Sequence, residues 1–382
     1  MAVLVTGGAG FIGSHTCLEL LGHGYEVVVV DDFSNSSPGA LTVVRQLAGR
    51  DLILHELDVR DHRALCQVFT RHRIDAVIHF AAKKAIGESL RMPLEYFDVN
   101  IAGTTSLLRC MARHRVRRLV FSSSCSIYGG EYSEPIGENA APAPTNPYAR
   151  SKLACEQILA DVCAAVSEFT VISLRYFNPV GAHPGGALGE VPRGVPNNVM
   201  PYMMRVAAGL LDRLQVFGVD YPTADGSAVR DYIHVMDVAE AHRLAVERLD
   251  DGPGMHVLNL GTGAGVSVLE LVRTFEETCG VTVPVEVAGR REGDAPAAVA
   301  DPGRAEKEWG WRTSRDIRAM CRDAWRFQQG HPAGYGGLAS RARSPPPAGA
   351  GSLPGRIRNA RYRHRHRLSW RRPRGLHGQD RP

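Results

Sequence analysis

The stretch VTGGAGFIGSH, residues 5–15, constrains this chain more than any other. It follows a short apolar run, residues 2–6, and opens a helical pattern over residues 12–22. Gly8-x-Gly10-x-x-Gly13 has the spacing of a dinucleotide fingerprint, and Gly7-x-x-Gly10-x-x-Gly13 gives a second register of it. Glycines there let the backbone approach a pyrophosphate and let the helix pack against the strand. The helix N-terminus adds amide donors and partial positive charge. An acid closes the pattern, since Asp31 ends the next strand-like run, 18 residues after Gly13. A carboxylate at that place accepts from ribose hydroxyls and repels a 2′-phosphate, which favours NAD over NADP. A glycine turn without a ligand would need neither the acid nor the position between strand and helix.

The rest of the first half agrees. Residues 2–6, 26–31, 52–57, 76–80, 119–123 and 170–175 are short runs rich in apolar or β-branched residues. Helical segments such as 12–22 and 100–114 separate them. Near-continuous apolar strands joined by helical crossovers mean a parallel sheet covered on both faces. The expected class is α/β: a Rossmann-type doubly wound sheet with a smaller α/β substrate-binding C-terminal region. Residues 1–179 form the dinucleotide domain, completed by segments near 230–261, and residues 180–335 mainly the second region.

A second stretch, TNPYARSKLACEQ, sets Tyr148 four residues before Lys152 where a helix begins after Pro147. Residues i and i+4 share a helix face, and an ammonium favours the phenolate of a neighbouring Tyr. Moving a phenol from about 10 to 7 takes roughly 4 kcal/mol, more than Lys152 alone supplies. A second positive charge is therefore expected, and an oxidised nicotinamide would provide it. The run Ser122-Ser123-Ser124 ends another strand and offers a hydroxyl to a substrate oxygen. Each feature alone is common on plain surfaces and loops. Together they read as a Ser124, Tyr148, Lys152 oxidoreductase centre.

Charge is divided unevenly. Residues 338–382 hold 12 Arg and one acid, which leaves 33 basic against 39 acidic residues in the body. The tail, rich in Arg, Pro, Gly and His, cannot bury enough apolar surface to fold. Phosphate contacts by the tail are conceivable, but a bland low-complexity appendage over 336–382 is favoured, and nucleic acid is not expected as a partner. No apolar run is long enough for a membrane helix, and the start shows no secretory pattern. The eight cysteines form no C-x-x-C and read as ordinary buried thiols in a reducing cytoplasm. No metal centre is expected.

At these residues the chain resembles the extended short-chain dehydrogenase/reductase family, and within it the UDP-glucose 4-epimerase branch. The resemblance runs over about residues 1–335. It is carried by VIHFAAKKAIGES (77–89), RYFNPVGAHP (175–184), GVPNNVMPY (194–202), VRDYIHVMDVA (229–239) and RREGD (290–294). It implies that Gly7, Gly10, Phe11, Ile12, Gly13, Asp31, Asp32, Phe33, Ser34, Asn35 and Ser36 surround NAD. Asp58, Val59, Phe80, Ala81, Ala82, Lys83 and Lys84 complete that set, with Ser124, Tyr148, Lys152 and Phe177 near the nicotinamide. Asn178, Asn198, Gln215, Val216, Phe217, Arg230, Arg291, Asp294 and Ala298 are implied around a UDP-hexose, with Ser124 and Tyr148 also touching the sugar. It further implies interconversion of UDP-glucose and UDP-galactose in galactose metabolism, and a homodimer formed by helices near 93–113 and 148–167. Ala154, Ile158, Val162 and Val166 give the second helix an i+4 apolar stripe, of a kind that more often packs on its own sheet.

Two positions depart from the family pattern. Val99 stands where the family usually carries an Asn near the cofactor. Ala298 stands where many bacterial relatives carry a Tyr that crowds the sugar, so room for a 2-acetamido group is expected. The main rival is another NAD-dependent nucleotide-sugar enzyme, a 4,6-dehydratase or decarboxylase. Such enzymes need further acid or base groups beside the Ser, where this chain has SSSCSIYG.

Overall fold

Valine-rich runs without polar alternation become strands buried on both faces in the computed structural model, which describes residues 1–337 apart from 131, 133–134 and 292–293. In chain order the strands are β1 (Ala2–Thr6), β2 (Glu26–Asp31), β3 (Ile53–Glu56), β4 (Ala76–His79), β5 (Arg118–Ser122), β6 (Thr170–Tyr176) and β7 (Asn178–Val180). There follow β8 (Leu214–Phe217), β9 (Val229–His234), β10 (Gly254–Leu260), β11 (Gly265–Ser267), β12 (Val285–Ala288) and β13 (Ala297–Ala298). The main sheet is parallel throughout, in the order β10-β6-β5-β4-β1-β2-β3. Strand order reverses between β1 and β4, so the crevice beyond their C-terminal ends is the switch point where ligands bind in such sheets.

Side chains divide by parity. Val3, Val5, Val27 and Val29 face helices α1 (Phe11–Gly22), α2 (Pro38–Ala48) and the later α9 (Val235–Arg248). Leu4, Val28, Val30 and Phe121 face α3 (His62–Arg71), α6 (Gly103–Arg113) and α7 (Pro147–Ala165). Two short helices, α4 (Ile86–Arg91) and α5 (Pro93–Phe97), and a π-turn over Asp98–Ala102 lead into α6. The remaining core gathers Met203, Leu271, Phe275 and Met320 from α8 (Val199–Ala207), α10 (Val268–Cys279) and α12 (Ile317–Gly330), with α11 (Gly303–Trp309) packing near β10.

Two features differ from expectation. Of the segments near 230–261, only β10 joins the main sheet. β9 instead collects β7, β11 and β13 into a smaller one, because buried Asp231 ties it to the Thr262, Gly263 and Ala300 amides. Nor are all cysteines free thiols: Cys66 on α3 and Cys110 on α6 are paired as a disulfide, their Cα atoms 5.2 Å apart. No helix among the described residues is long and apolar enough to cross a membrane. The tail over 338–382 lies outside the described residues.

One buried ion pair fixes the helix that carries Tyr148 and Lys152. Glu156, one turn beyond Lys152, accepts from the Arg175 guanidinium at 2.5 and 3.0 Å and from the Ser173 hydroxyl at 2.9 Å. Arg175 also reaches the Tyr128 hydroxyl at 3.0 Å. Removing one partner of a buried pair strands the other charge at a cost of about 3–5 kcal/mol, whereas replacing both with apolar groups can be near neutral. Urea unfolding should therefore show Glu156→Ala losing that amount, and Glu156→Leu/Arg175→Met losing clearly less than either single change.

Candidate active site

The glycine turn after β1 is shaped by contact. A Cβ on Gly13 would lie 2.3 Å from the Gly7 carbonyl oxygen, and one on Gly7 would lie 2.7 Å from the Ala81 amide nitrogen. Gly7 also has φ +70°, a conformation costly for other residues. Helix α1 can thus start directly at the sheet edge. No side chain caps it, and its first turn holds no acid, so the amides at Phe11, Ile12 and Gly13 present the positive end of the helix dipole to an anion. These features fit a dinucleotide pyrophosphate.

Asp31 ends β2 nearly buried and organises the adjoining loop. Its carboxylate accepts from the Ala9 amide at 2.9 Å, the Phe33 amide at 3.0 Å and the Ser36 hydroxyl at 2.6 Å. Burial raises its pKa above the ordinary carboxylate value, against those three donors. Phe33 sits at φ +53°. Asp32 in turn takes the Ser34 amide and hydroxyl at 2.9 and 2.7 Å, while Asn35 is exposed at the tip. Asp58 is gripped by the Arg60 guanidinium, whose hydrogen bonds hold its pKa below the usual range. Val59 is buried under the start of α6, against Gly103.

Beyond β4, Phe80 packs against the His242 ring at a tilt of 46°, and Ala81 and Ala82 lead to Lys83 and Lys84. Lys84 pairs with Glu190 at 2.9 Å. The Lys83 amide donates to Asn100 Oδ1 at 2.8 Å, and Asn100 Nδ2 returns a bond to the Lys83 carbonyl at 3.1 Å. Asn100 Nδ2 also reaches Ser151 on α7 at 2.8 Å. Asn100 is the residue that sequence reasoning missed: attention went to Val99, which is only half-buried, while the buried amide is its neighbour. The Asn was visible in the sequence, one place further on.

The Ser, Tyr and Lys meet where β5 ends. Asn146 caps α7 by accepting the Ala149 amide at 2.9 Å, and Pro147 occupies the first turn, which fixes Tyr148 at the helix mouth. Ser124 lies near the Tyr148 hydroxyl and favours the phenolate. Ser126, also absent from the sequence reading, donates to Ser124 Oγ at 3.0 Å. Burial pushes the Tyr148 phenol up to about 12, opposed by Ser124. The Lys152 ammonium donates to the Ser122 carbonyl at 2.7 Å and lies 5.0 Å from the Phe121 ring centroid. The chain by itself therefore does not acidify the phenol: desolvation by burial outweighs the opposing effect of Ser124.

Phe177, buried after β6, packs with Tyr128 and Ile127. The other expected residues lie on the smaller sheets and loops. Asn178 begins β7 opposite Tyr232, and Ala298 pairs in register with Arg230. Arg230 donates to the Val229 and Ala295 carbonyls at 2.8 and 2.9 Å and faces Asp294 at 3.6 Å. Arg291 stacks on Phe217, its guanidinium 3.8 Å from the ring centroid. Gln215 is exposed and Val216 buried on β8, so Val216 can offer only its backbone outward. Asn198 is exposed at the start of α8, where no side-chain cap forms. Burial raises the Cys125 thiol, next to Ser124, to about 12, while the charge of Arg230 pulls it down.

Residues 3–261 match the NAD dependent epimerase/dehydratase family. The chain belongs to that family. It is 51% identical over 335 residues to UDP-glucose 4-epimerase of Bacillus subtilis (strain 168), covering 88% of this chain and 99% of the relative. The Mus musculus UDP-glucose 4-epimerase is 47% identical, over 88% of this chain and 99% of its own. UDP-glucose 4-epimerase from Bifidobacterium longum, solved in complex with NAD+ and UDP, superposes with a TM-score of 0.85 at 47% identity, covering 87% and 100% of the two chains.

For this epimerase/dehydratase family member, Lys152 gives a pH test. Burial lowers its pKa from 10.5 to about 8. Below pH 8 the folded chain carries a cation it disfavours, and that cost vanishes as pH rises from about 8 to 10.5. In urea unfolding of the nucleotide-free proteins at pH 7, Lys152→Met should be the more stable by up to roughly 3 kcal/mol, with the difference closing toward pH 10.5.

Proposed function

We propose that this protein interconverts UDP-glucose and UDP-galactose by inverting carbon 4 of the hexose. The observation that carries this reading is the Tyr148–Ser124 hydroxyl pair, set at the mouth of α7 beside the glycine cradle after β1. NAD, when bound, supplies the acceptor and donor of hydride and a cationic ring near the phenol. Gly7, Gly10, Gly13 and the α1 amides would hold its pyrophosphate, and the Asp31 loop its adenosine ribose.

Tyr148 takes the proton of the 4-hydroxyl as that carbon is oxidised and returns it when the ketone is reduced on its other face. Ser124 holds the oxygen in both states. Its neighbours, buried Ser123 and half-buried Cys125, offer no carboxylic acid of the kind a dehydratase would need. Arg230 and Arg291 bind the diphosphate, Asp294 a ribose hydroxyl, Asn178 and Asn198 the sugar and phosphate, and Gln215 to Phe217 the remainder of the nucleotide. A firm UDP anchor with a loosely held hexose lets the ketone present either face.

The same reading makes the protein a cytoplasmic homodimer. Six of the eight cysteines are free thiols, and a reducing compartment would also open the Cys66–Cys110 pair. Leu90 on α4, Met92 between α4 and α5, and Leu94 on α5 are exposed, Leu94 to 77%, and Val166 is exposed just after α7. Covering such side chains favours association.

Tyr148→Phe tests the base. Its kcat for UDP-galactose should fall about 10²- to 10⁴-fold with KM little changed, and an unaltered kcat would contradict the assignment. Ala298 is small and half-buried beside Arg230, so the protein should also turn over UDP-N-acetylglucosamine. Ala298→Tyr should suppress that activity while sparing UDP-galactose, as steady-state kinetics on both substrates would show.

A further inference from the structure

We propose that His62, Cys66 and Cys110 form a binding site for a thiophilic metal ion such as Zn²⁺ when the two cysteines are reduced. The site lies outside the catalytic centre, between α3 and α6. His62 opens α3 and Cys66 follows one turn later on the same face, while Cys110 reaches across from α6. The three donor atoms all lie within 4.8 Å of one another. His62 Nδ1 is 3.3 Å from Cys110 Sγ and 3.9 Å from Cys66 Sγ. Zinc bonds of about 2.3 Å to sulfur and 2.0 Å to nitrogen, at tetrahedral angles, put N and S about 3.5 Å apart and the two S about 3.8 Å apart. The His spacing already brackets that value. Only the sulfurs must separate, and reduction of the disulfide releases them.

Burial suits the same chemistry. Cys110 and Cys66 are buried and His62 is exposed, so thiolates would be shielded while the His edge leaves a fourth position open to water. A disulfide and a metal thiolate are alternative states of one sulfur pair. A phosphine reductant gives the disulfide two electrons and becomes the phosphine oxide, taking its oxygen from water whose two protons go to the thiols. The metal then displaces those two protons.

The full-length protein, reduced with a phosphine and desalted without oxygen, should be titrated with Zn²⁺ against a chromophoric chelator. One equivalent per chain is expected to bind. Cys66→Ser and Cys110→Ser should each abolish that equivalent, and His62→Ala should weaken it by more than about tenfold. The disulfide form should not bind it. Co²⁺ in place of Zn²⁺ should show thiolate charge-transfer absorption that both Cys variants lack. Turnover of UDP-galactose by the variants reports folding separately, since none of the three residues touches the catalytic groups. No uptake by the reduced protein overturns the site, as does uptake that survives Cys66→Ser, which would place the metal elsewhere.

Discussion

A Cβ has no room at Gly13, where it would meet the Gly7 carbonyl oxygen at 2.3 Å. That close approach lets α1 begin at the end of β1 with its first amides uncapped, and the remainder of the site is arranged around it. Gly7 in turn presses on the backbone at Phe80 and Ala81, so the ends of β1 and β4 are locked side by side at the point where strand order reverses. The loops that leave them must diverge, and the crevice between them is the one place on the sheet where a long, flat ligand meets several strand ends at once.

The side chains proposed for catalysis use the next strand ends along the same edge. β5 delivers Ser122 and Ser124, and α7 returns Tyr148 and Lys152 over them. The electrostatics are instructive. Lys152 donates to the Ser122 carbonyl and lies over the Phe121 face, while desolvation by burial keeps the Tyr148 phenol high. A base that becomes competent only beside a cation is well matched to a reaction in which an oxidised nicotinamide must be in place before the sugar loses its proton. The Glu156–Arg175 pair one turn further along holds α7 in register with β6.

Much of this was legible in the residues. The Gly7 to Gly13 turn, Asp31 and the alternation of apolar runs imply the sheet and its cradle because each is a local demand of backbone geometry. The placing of Tyr148 and Lys152 in the first turns of α7 was legible because Pro147 marks the helix start. Less legible were consequences of long-range packing. The allegiance of β9 to the smaller sheet depends on Asp231 reaching Thr262 and Ala300, far away in sequence. The pairing of Cys66 with Cys110 depends on α3 lying along α6, which no spacing of cysteines announces. Asn100 was hidden by its neighbour Val99, since a π-turn shifts the register by which helix faces are read. The buried position of Val216 follows from the pairing of β8 with β12.

Retention of hydrogen at carbon 4 tests the central chemistry most directly. UDP-galactose carrying deuterium on that carbon should be incubated with the purified protein, without added nucleotide cofactor, and the product examined by NMR and mass spectrometry. The expected product is UDP-glucose with the deuterium still on carbon 4. Loss of the label to water would show that the carbon is inverted by another route, and absence of UDP-glucose would show that the chain does not perform this reaction.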